Sequence, residues 1–261
     1  MYNSSIMQTP TTLHTRLTQL IYILLGLGVV GVVVFLTVTY QPDPIIGTEG
    51  GAPAQTVSWA STEVDKITID ETGDQYAIKA TYPVTANTSV TAYMKTFVEG
   101  EVAAFTADNI PSDIPEDSAT QVYTLDITYS NERSAIADTY VFTEAIDTGG
   151  AHGLQATKTF SFTPEGKLIE VKDLFTTGAS GLTVIAPYIA KELASVDMTT
   201  AEWIAEGTAP IEDNYQNFII TDTGVQFIFD PYQVAAYAAG IQRVEVPVSV
   251  FQSIANKNIF R

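Results

Sequence analysis

Asp147-Thr148-Gly149-Gly150-Ala151-His152-Gly153 stands between two long runs of alternating character, about Ala135 to Ile146 and Leu154 to Thr163. Runs of that period and length are strands, so the seven residues must reverse the chain and set the centre of the fold as antiparallel. Three glycines in five residues suit a backbone that visits positive φ or lets another group come close. On the N-terminal side, Val122, Thr124, Asp126 and Thr128 alternate against Tyr123, Leu125, Ile127 and Tyr129. On the C-terminal side, the turn Pro164-Glu165-Gly166-Lys167 leads into Leu168-Ile169-Glu170-Val171. The middle of the chain therefore reads as an antiparallel meander.

Further out, Val64 to Asp70 and Tyr76 to Val84 read as a hairpin around Glu71-Thr72-Gly73-Asp74. Asn87 or Thr88 caps a helix whose Val90, Tyr93, Met94, Phe97, Val98, Val102 and Phe105 recur at three- and four-residue steps. Asp108 to Asp117, with Pro111 and Pro115, ends that pattern in a loop. Later, Leu182, Ile185, Ile189 and Leu193 mark a helical face interrupted by Pro187, and Thr199 with Glu202 forms a capping box for a short helix. Phe218 to Thr221 and Val225 to Phe229 flank the connection Asp222-Thr223-Gly224. Asp230-Pro231 supplies an N-cap and first-turn proline for a helical turn through Tyr232, Val234, Ala235 and Tyr237, stopped by Gly240. Val244, Val246, Val248 and Val250 alternate in a last strand, which Pro247 confines to an edge or a bulge.

The chain has 261 residues, no cysteine and a formal charge of −18. Disulfides, thiol nucleophiles and thiolate metal sites are excluded. Arg16 is the only charged side chain before Asp43, so all 30 acids lie beyond it with 11 basic residues, a balance of −19. Such a surface repels nucleic acid and favours basic proteins or cations. Leu17 to Tyr40 carries no charge, and about 20 apolar residues at 1.5 Å each cross a hydrocarbon core. The expectation is an α+β protein in four parts. Residues 1–16 form a short cytosolic segment, 17–40 a single transmembrane helix and 41–56 a Pro/Gly-rich tether. Residues 57–261 form an extracytoplasmic antiparallel-sheet domain with packed helices.

The words Gly149-Gly150-Ala151-His152-Gly153, Thr163-Pro164-Glu165-Gly166-Lys167 with Asp173-Leu174-Phe175, Asn217-Phe218 with Gly224 and Phe229, and Pro231-Tyr232 with Ala235, Tyr237, Ala238 and Gly240 occur in this order. Together they resemble the extracytoplasmic domain shared by RsiV-type anti-sigma factors and PdaC-type peptidoglycan deacetylases. The resemblance covers about Thr68 to Phe251. It implies an α+β domain displayed outside a bacterial membrane at the cell envelope and, in the RsiV case, a lysozyme receptor. The chain departs from it in three ways. The segment before Leu17 is too short for a sigma-binding domain, nothing after Phe251 supplies a deacetylase's metal-binding Asp and His set, and Ala236 stands where the family is expected to have proline.

His152 is the only imidazole beyond the apolar segment, so a hydrolytic or zinc site would have to be built around it, with Asp147 as its neighbour. No second histidine, nucleophile elbow or phosphate-binding loop accompanies it. The bland reading of His152 is an imidazole bonded to a backbone carbonyl, and of Tyr232 and Tyr237 packed aromatics. The binding candidates are Gly149, Gly150, His152, Gly153, Asp230, Tyr232 and Tyr237, with no catalytic residue, metal or cofactor. The function expected is a membrane-anchored envelope module, not an enzyme, that recognises a lysozyme-like basic protein or peptidoglycan. The alternatives are a scaffolding protein without its own ligand, or a hydrolase using His152.

Overall fold

The computed structural model describes residues 59–109 and 122–260. The expected cytosolic segment, transmembrane helix and tether lie outside them. Among the described residues no helix is long and apolar enough to cross a membrane. Thr56–Arg261 forms one compact unit.

The unit is α+β, with two sheets and few helices. The larger sheet has six strands in sequence order: β1 (Glu63–Thr72), β2 (Tyr76–Thr85), β3 (Tyr123–Arg133), β4 (Asp138–Asp147), β5 (Leu154–Phe162) and β6 (Leu168–Ile169). The hairpin and meander read from the sequence are present, and every neighbouring pair but one is antiparallel. The exception is β2 with β3, which run parallel. Helix α1 (Thr88–Asn109) lies between them in sequence and carries the chain back to the end of the sheet at which β2 began, as a crossover must for parallel pairing. Asn87 caps α1 as expected, its Oδ1 accepting from the N–H of Ser89 at 2.8 Å. Val90, Met94, Val98 and Phe105 are the buried side of the helix. They pack on Ile78, Ala80, Leu125, Ile127, Tyr140 and Phe142. Phe97 meets Phe142 edge-on at 5.3 Å and Phe160 at 5.7 Å. Each apolar side chain fully buried there contributes about 1.5–3 kcal/mol before entropy is counted.

A second sheet consists of β7 (Phe218–Ile220), β8 (Gly224–Phe229) and β9 (Gln242–Pro247), all antiparallel. Its core contains Phe218, Phe227, Phe229 and Val246, helix α2 (Leu182–Leu193) through Ile185 and Ile189, and Phe251 of helix α4 (Val248–Phe251). A small cluster of Val141, Ile219 and Ile228 joins it to the large sheet. Three expectations are corrected here. Helix α2 runs through Pro187 rather than breaking, because burial of Ile185, Ala186 and Ile189 around it outweighs one lost hydrogen bond. Helix α3 (Ala201–Gly207) is capped by Thr200, not Thr199: the Thr200 hydroxyl accepts from Trp203 N–H, whereas that of Thr199 donates to the Val234 carbonyl. The last strand ends at Pro247, where Val248 N–H leaves the ladder for the Thr223 carbonyl and α4 begins. Strand β9 is an edge strand, as Pro247 requires.

The first strand is anchored by a buried carboxylate. Asp138 is fully buried and accepts from Ser61 Oγ and Asn131 Nδ2, each at 2.6 Å, and pairs with Arg133. Tyr140 Oη donates to the Ser61 carbonyl at 2.7 Å. These bonds tie the chain ahead of β1 to the middle of the sheet.

Candidate functional site

The loop from β4 to β5 turns on Gly149, whose φ is 85° and whose N–H donates to Asp147 Oδ1 at 2.8 Å. A side chain at Gly153 would meet the Ile146 carbonyl at 3.0 Å. These two glycines serve the positive φ and the close approach that the sequence suggested. Gly150 is exposed at the tip.

This geometry delivers His152 to the connection between β8 and β9. Its ring stacks on Tyr237 with centroids 3.9 Å apart and planes 17° from parallel. Tyr237 Oη donates to the Gly153 carbonyl at 2.7 Å, and His152 Nδ1 lies 3.0 Å from the same oxygen. A carbonyl cannot donate, so Nδ1 carries the proton, and both lone pairs of that oxygen are used. Nε2 is then free to accept from Tyr232 Oη, 3.3 Å away. The ring centroids of Tyr232 and Tyr237 are 5.6 Å apart. The expected helical turn over Asp230 to Tyr237 is absent. Tyr232 instead adopts φ 71°, and a single 3₁₀ turn covers Tyr237–Ala239 before Gly240 at φ 70°. A left-handed tyrosine is uncommon and costs about 1–3 kcal/mol, a strain that concentrates at functional sites. Here it turns the phenol, 41% exposed, toward His152.

Beside the rings is a shallow depression of about 280 Å³, lined by Tyr237, Gly153, Asp147, Asp126, Thr124 and Gln155 among others. His152, Gly153, Tyr232 and Tyr237 therefore come together from two distant stretches of chain. Asp126 and Gln155 join them without having been singled out from the sequence; the only signal was their place on the polar side of alternating strands. Asp147 gives its carboxyl to Gly149, and the hydrogen bonds of His152 go to Gly153 and Tyr232, so no Asp147–His152 dyad forms. Among the described residues no group of three or more His, Asp or Glu is placed to hold a metal.

Asp230 bonds to β5. Its Oδ2 accepts from Thr157 N–H at 3.1 Å, and Asn217 Oδ1 accepts from Thr159 N–H at 3.3 Å, so two side chains satisfy the otherwise open edge of β5. Burial raises the pKa of Asp230, while its bonds to Thr157 lower it. Through the sheet, Glu144 is buried on the α1 side with Oε1 unpartnered. Burial, with the charges of Glu101 and Asp230 adding to it, pushes its carboxyl up to about 8. At Ala236, where proline was expected, φ is −60° and the N–H donates to the Met198 carbonyl at 2.9 Å. The backbone shape is proline-compatible, and alanine adds a bond that proline lacks.

Residues 172–249 match the family model described as Protein of unknown function (DUF3298). Over 198 residues, 73% of this chain, the sequence is 29% identical to peptidoglycan-N-acetylmuramic acid deacetylase PdaC of Bacillus subtilis, covering 41% of that protein. Over 141 residues, 51% of this chain, it is 30% identical to Immunogenic protein MPT64 of Mycobacterium tuberculosis, covering 60% of it. The chain thus spans less than two thirds of either relative. The crystal structure of a DUF3298 family protein from Pseudomonas aeruginosa aligns with a TM-score of 0.54 at 14% identity, over 78% of this chain and 98% of that one, so the two share a fold. The resemblance to PdaC-type proteins read from the sequence words agrees with this similarity over 73% of the chain.

Proposed function

We propose that this chain, which carries a DUF3298 domain of the PdaC type, is an envelope module that binds the glycan of peptidoglycan without chemistry of its own. The observation that supports this reading is the group of His152, Tyr232 and Tyr237 rings, of which Tyr237 lines a depression together with Asp126, Asp147 and Gln155. Pyranose rings present C–H faces that pack on aromatic rings, and hydroxyls that bond to planar carboxylate and amide groups. A broad, open depression suits one stretch of a polymer better than a small substrate enclosed for reaction. The similarity to a peptidoglycan deacetylase points to the same polymer, although that enzyme extends far beyond the shared region. In this reading residues 17–40 anchor the domain outside the membrane with the N-terminus in the cytosol. A second reading, a basic lysozyme-like protein as partner, is favoured by the formal charge of −18.

The test is co-sedimentation of the full chain with purified peptidoglycan, with Tyr237→Ala as the variant. Tyr237→Ala removes both the stacking face and the bond to Gly153, and at least a tenfold loss of retention is expected. Equal retention of the variant, with its fold intact, would exclude the ring group as the binding site.

A further inference from the structure

The side of the large sheet facing away from α1 carries rows of small polar side chains in register across the strands. Thr68 faces Thr81, Thr128 faces Thr143, and Thr143 faces Thr157. The β2–β3 register ends with Ala80 beside Ile127, and the next residues, Thr81 and Thr128, line the same depression. Five strands thus contribute one threonine each to a single row. The next row is Asp70, Lys79, Asp126, Ala145 and Gln155. The row beyond it is Thr72, Ala77, Thr124 and Asp147.

The second sheet covers only part of this side. Asp230 and Asn217 close over Thr157 and Thr159, and Ile219 and Ile228 pack on Val141. Strands β1 to β3 stay open, with Thr68, Lys79 and Thr128 exposed. Two depressions lie on this side. One is the depression beside Tyr237, and the other, of about 370 Å³, is lined by Lys66, Thr81, Thr128, Ser130 and Asn131 among others.

We infer that this open sheet face is the continuation of the aromatic site, a track on which an uncharged, linear glycan strand lies from Tyr237 across Asp126 to Thr128 and Thr81. The inference rests on the glycan reading above. Charge selects the occupant. On a chain of net −18, these three rows hold Lys79 against Asp70, Asp126 and Asp147, and Lys66 and Glu63 offset each other at the far depression, so the face carries only −2. A basic protein gains little from so small a charge, whereas a neutral polymer loses nothing. Geometry supplies the rest. Adjacent strands are about 4.8 Å apart, so Thr68, Thr81 and Thr128 on the open strands offer a hydroxyl at each such step, a spacing of the same order as the repeat of an extended pyranose chain. Each hydroxyl both donates and accepts, and a β-branched side chain on a pleated sheet holds it in place. Thr68 Oγ1 and Thr81 Oγ1 are already 3.1 Å apart, a pair that a sugar hydroxyl can join.

The test is retention of the full chain on purified peptidoglycan, and its affinity for a soluble β-1,4-linked N-acetylglucosamine tetramer, for Thr81→Val combined with Thr128→Val. Valine keeps the branched shape and strand preference and removes only the hydroxyls. A fall of about tenfold in both measurements, with the urea midpoint unchanged, is expected. Unchanged binding by a folded double variant overturns the track while the ring site stands. Absence of binding by the unaltered chain overturns both. Should the double variant lose its fold, Thr128→Val alone decides, since Thr128 is exposed: about a threefold loss supports the track, and none overturns it.

Discussion

Replacing Glu144 by Gln should stabilise the protein at alkaline pH and leave it nearly unchanged in acid. Burial raises this carboxyl from 4.5 to about 8, with the nearby Glu101 and Asp230 charges adding to the effect. Below pH 4.5 the group is protonated in both folded and unfolded chains, and its burial costs nothing that depends on pH. As pH rises toward 8 the unfolded chain releases the proton while the folded chain holds it, so stability is lost across that window. One pH unit corresponds to about 1.4 kcal/mol. Between the unfolded value of 4.5 and pH 7 the native state therefore loses about 3 kcal/mol, and the loss levels off near 5 kcal/mol above about pH 8. Glutamine does not titrate, so the variant should lack this slope. Urea unfolding followed by far-UV circular dichroism from pH 4 to pH 9 measures it. The difference between variant and parent isolates Glu144 from Asp230 and Glu101, whose raised values tilt both curves alike. A difference that does not change with pH would refute the argument, since Glu144 would then ionise in the fold as it does outside it.

Asp138→Ala leaves Arg133, Asn131 and Ser61 without their shared acceptor and should cost about 3–5 kcal/mol in urea unfolding; a cost under about 1 kcal/mol would mean the cluster is not what anchors the start of the sheet. Gly149→Ala forces a side chain into φ 85° and should cost about 1–2 kcal/mol. A neutral result in the same assay would show that the loop relaxes to another turn. Tyr237→Phe keeps the stack on His152 but loses the bond to the Gly153 carbonyl. It should lower stability by about 1 kcal/mol while retaining wall binding that Tyr237→Ala loses, and equal losses in the two variants would deny the ring its role.

Those parts of the fold that depend on neighbouring residues were legible in the chain. The hairpin at Glu71 to Asp74, the connection Asp222-Thr223-Gly224 and the cap at Asn87 each rest on local turn or cap chemistry, and each is present. Departures arise where a distant partner takes a group that local chemistry had assigned. Asp230 reads as an N-cap, but Thr157 N–H, on a strand far away in sequence, takes its carboxylate, and the helical turn gives way to Tyr232 at positive φ. Val248 continues a two-residue alternation, yet the Thr223 carbonyl captures its N–H and the strand stops. The parallel pairing of β2 and β3 has no local signature at all, since it follows from where α1 packs. In the site, the glycine-histidine loop and the two tyrosines could be singled out, and they meet. Asp126 and Gln155 could not, because each is one polar residue among many on an alternating strand until the register sets it beside the others.

The most direct measurement is co-sedimentation of the full chain with purified peptidoglycan, at low and at high salt, beside a parallel measurement of binding to lysozyme. The glycan reading predicts saturable retention on the wall that changes little with salt, because a neutral glycan strand presents no charge for the carboxylates of the site to attract. Saturable lysozyme binding that collapses at high salt, with no retention on peptidoglycan, would contradict it and leave the acidic surface as the part of the molecule that recognises a partner.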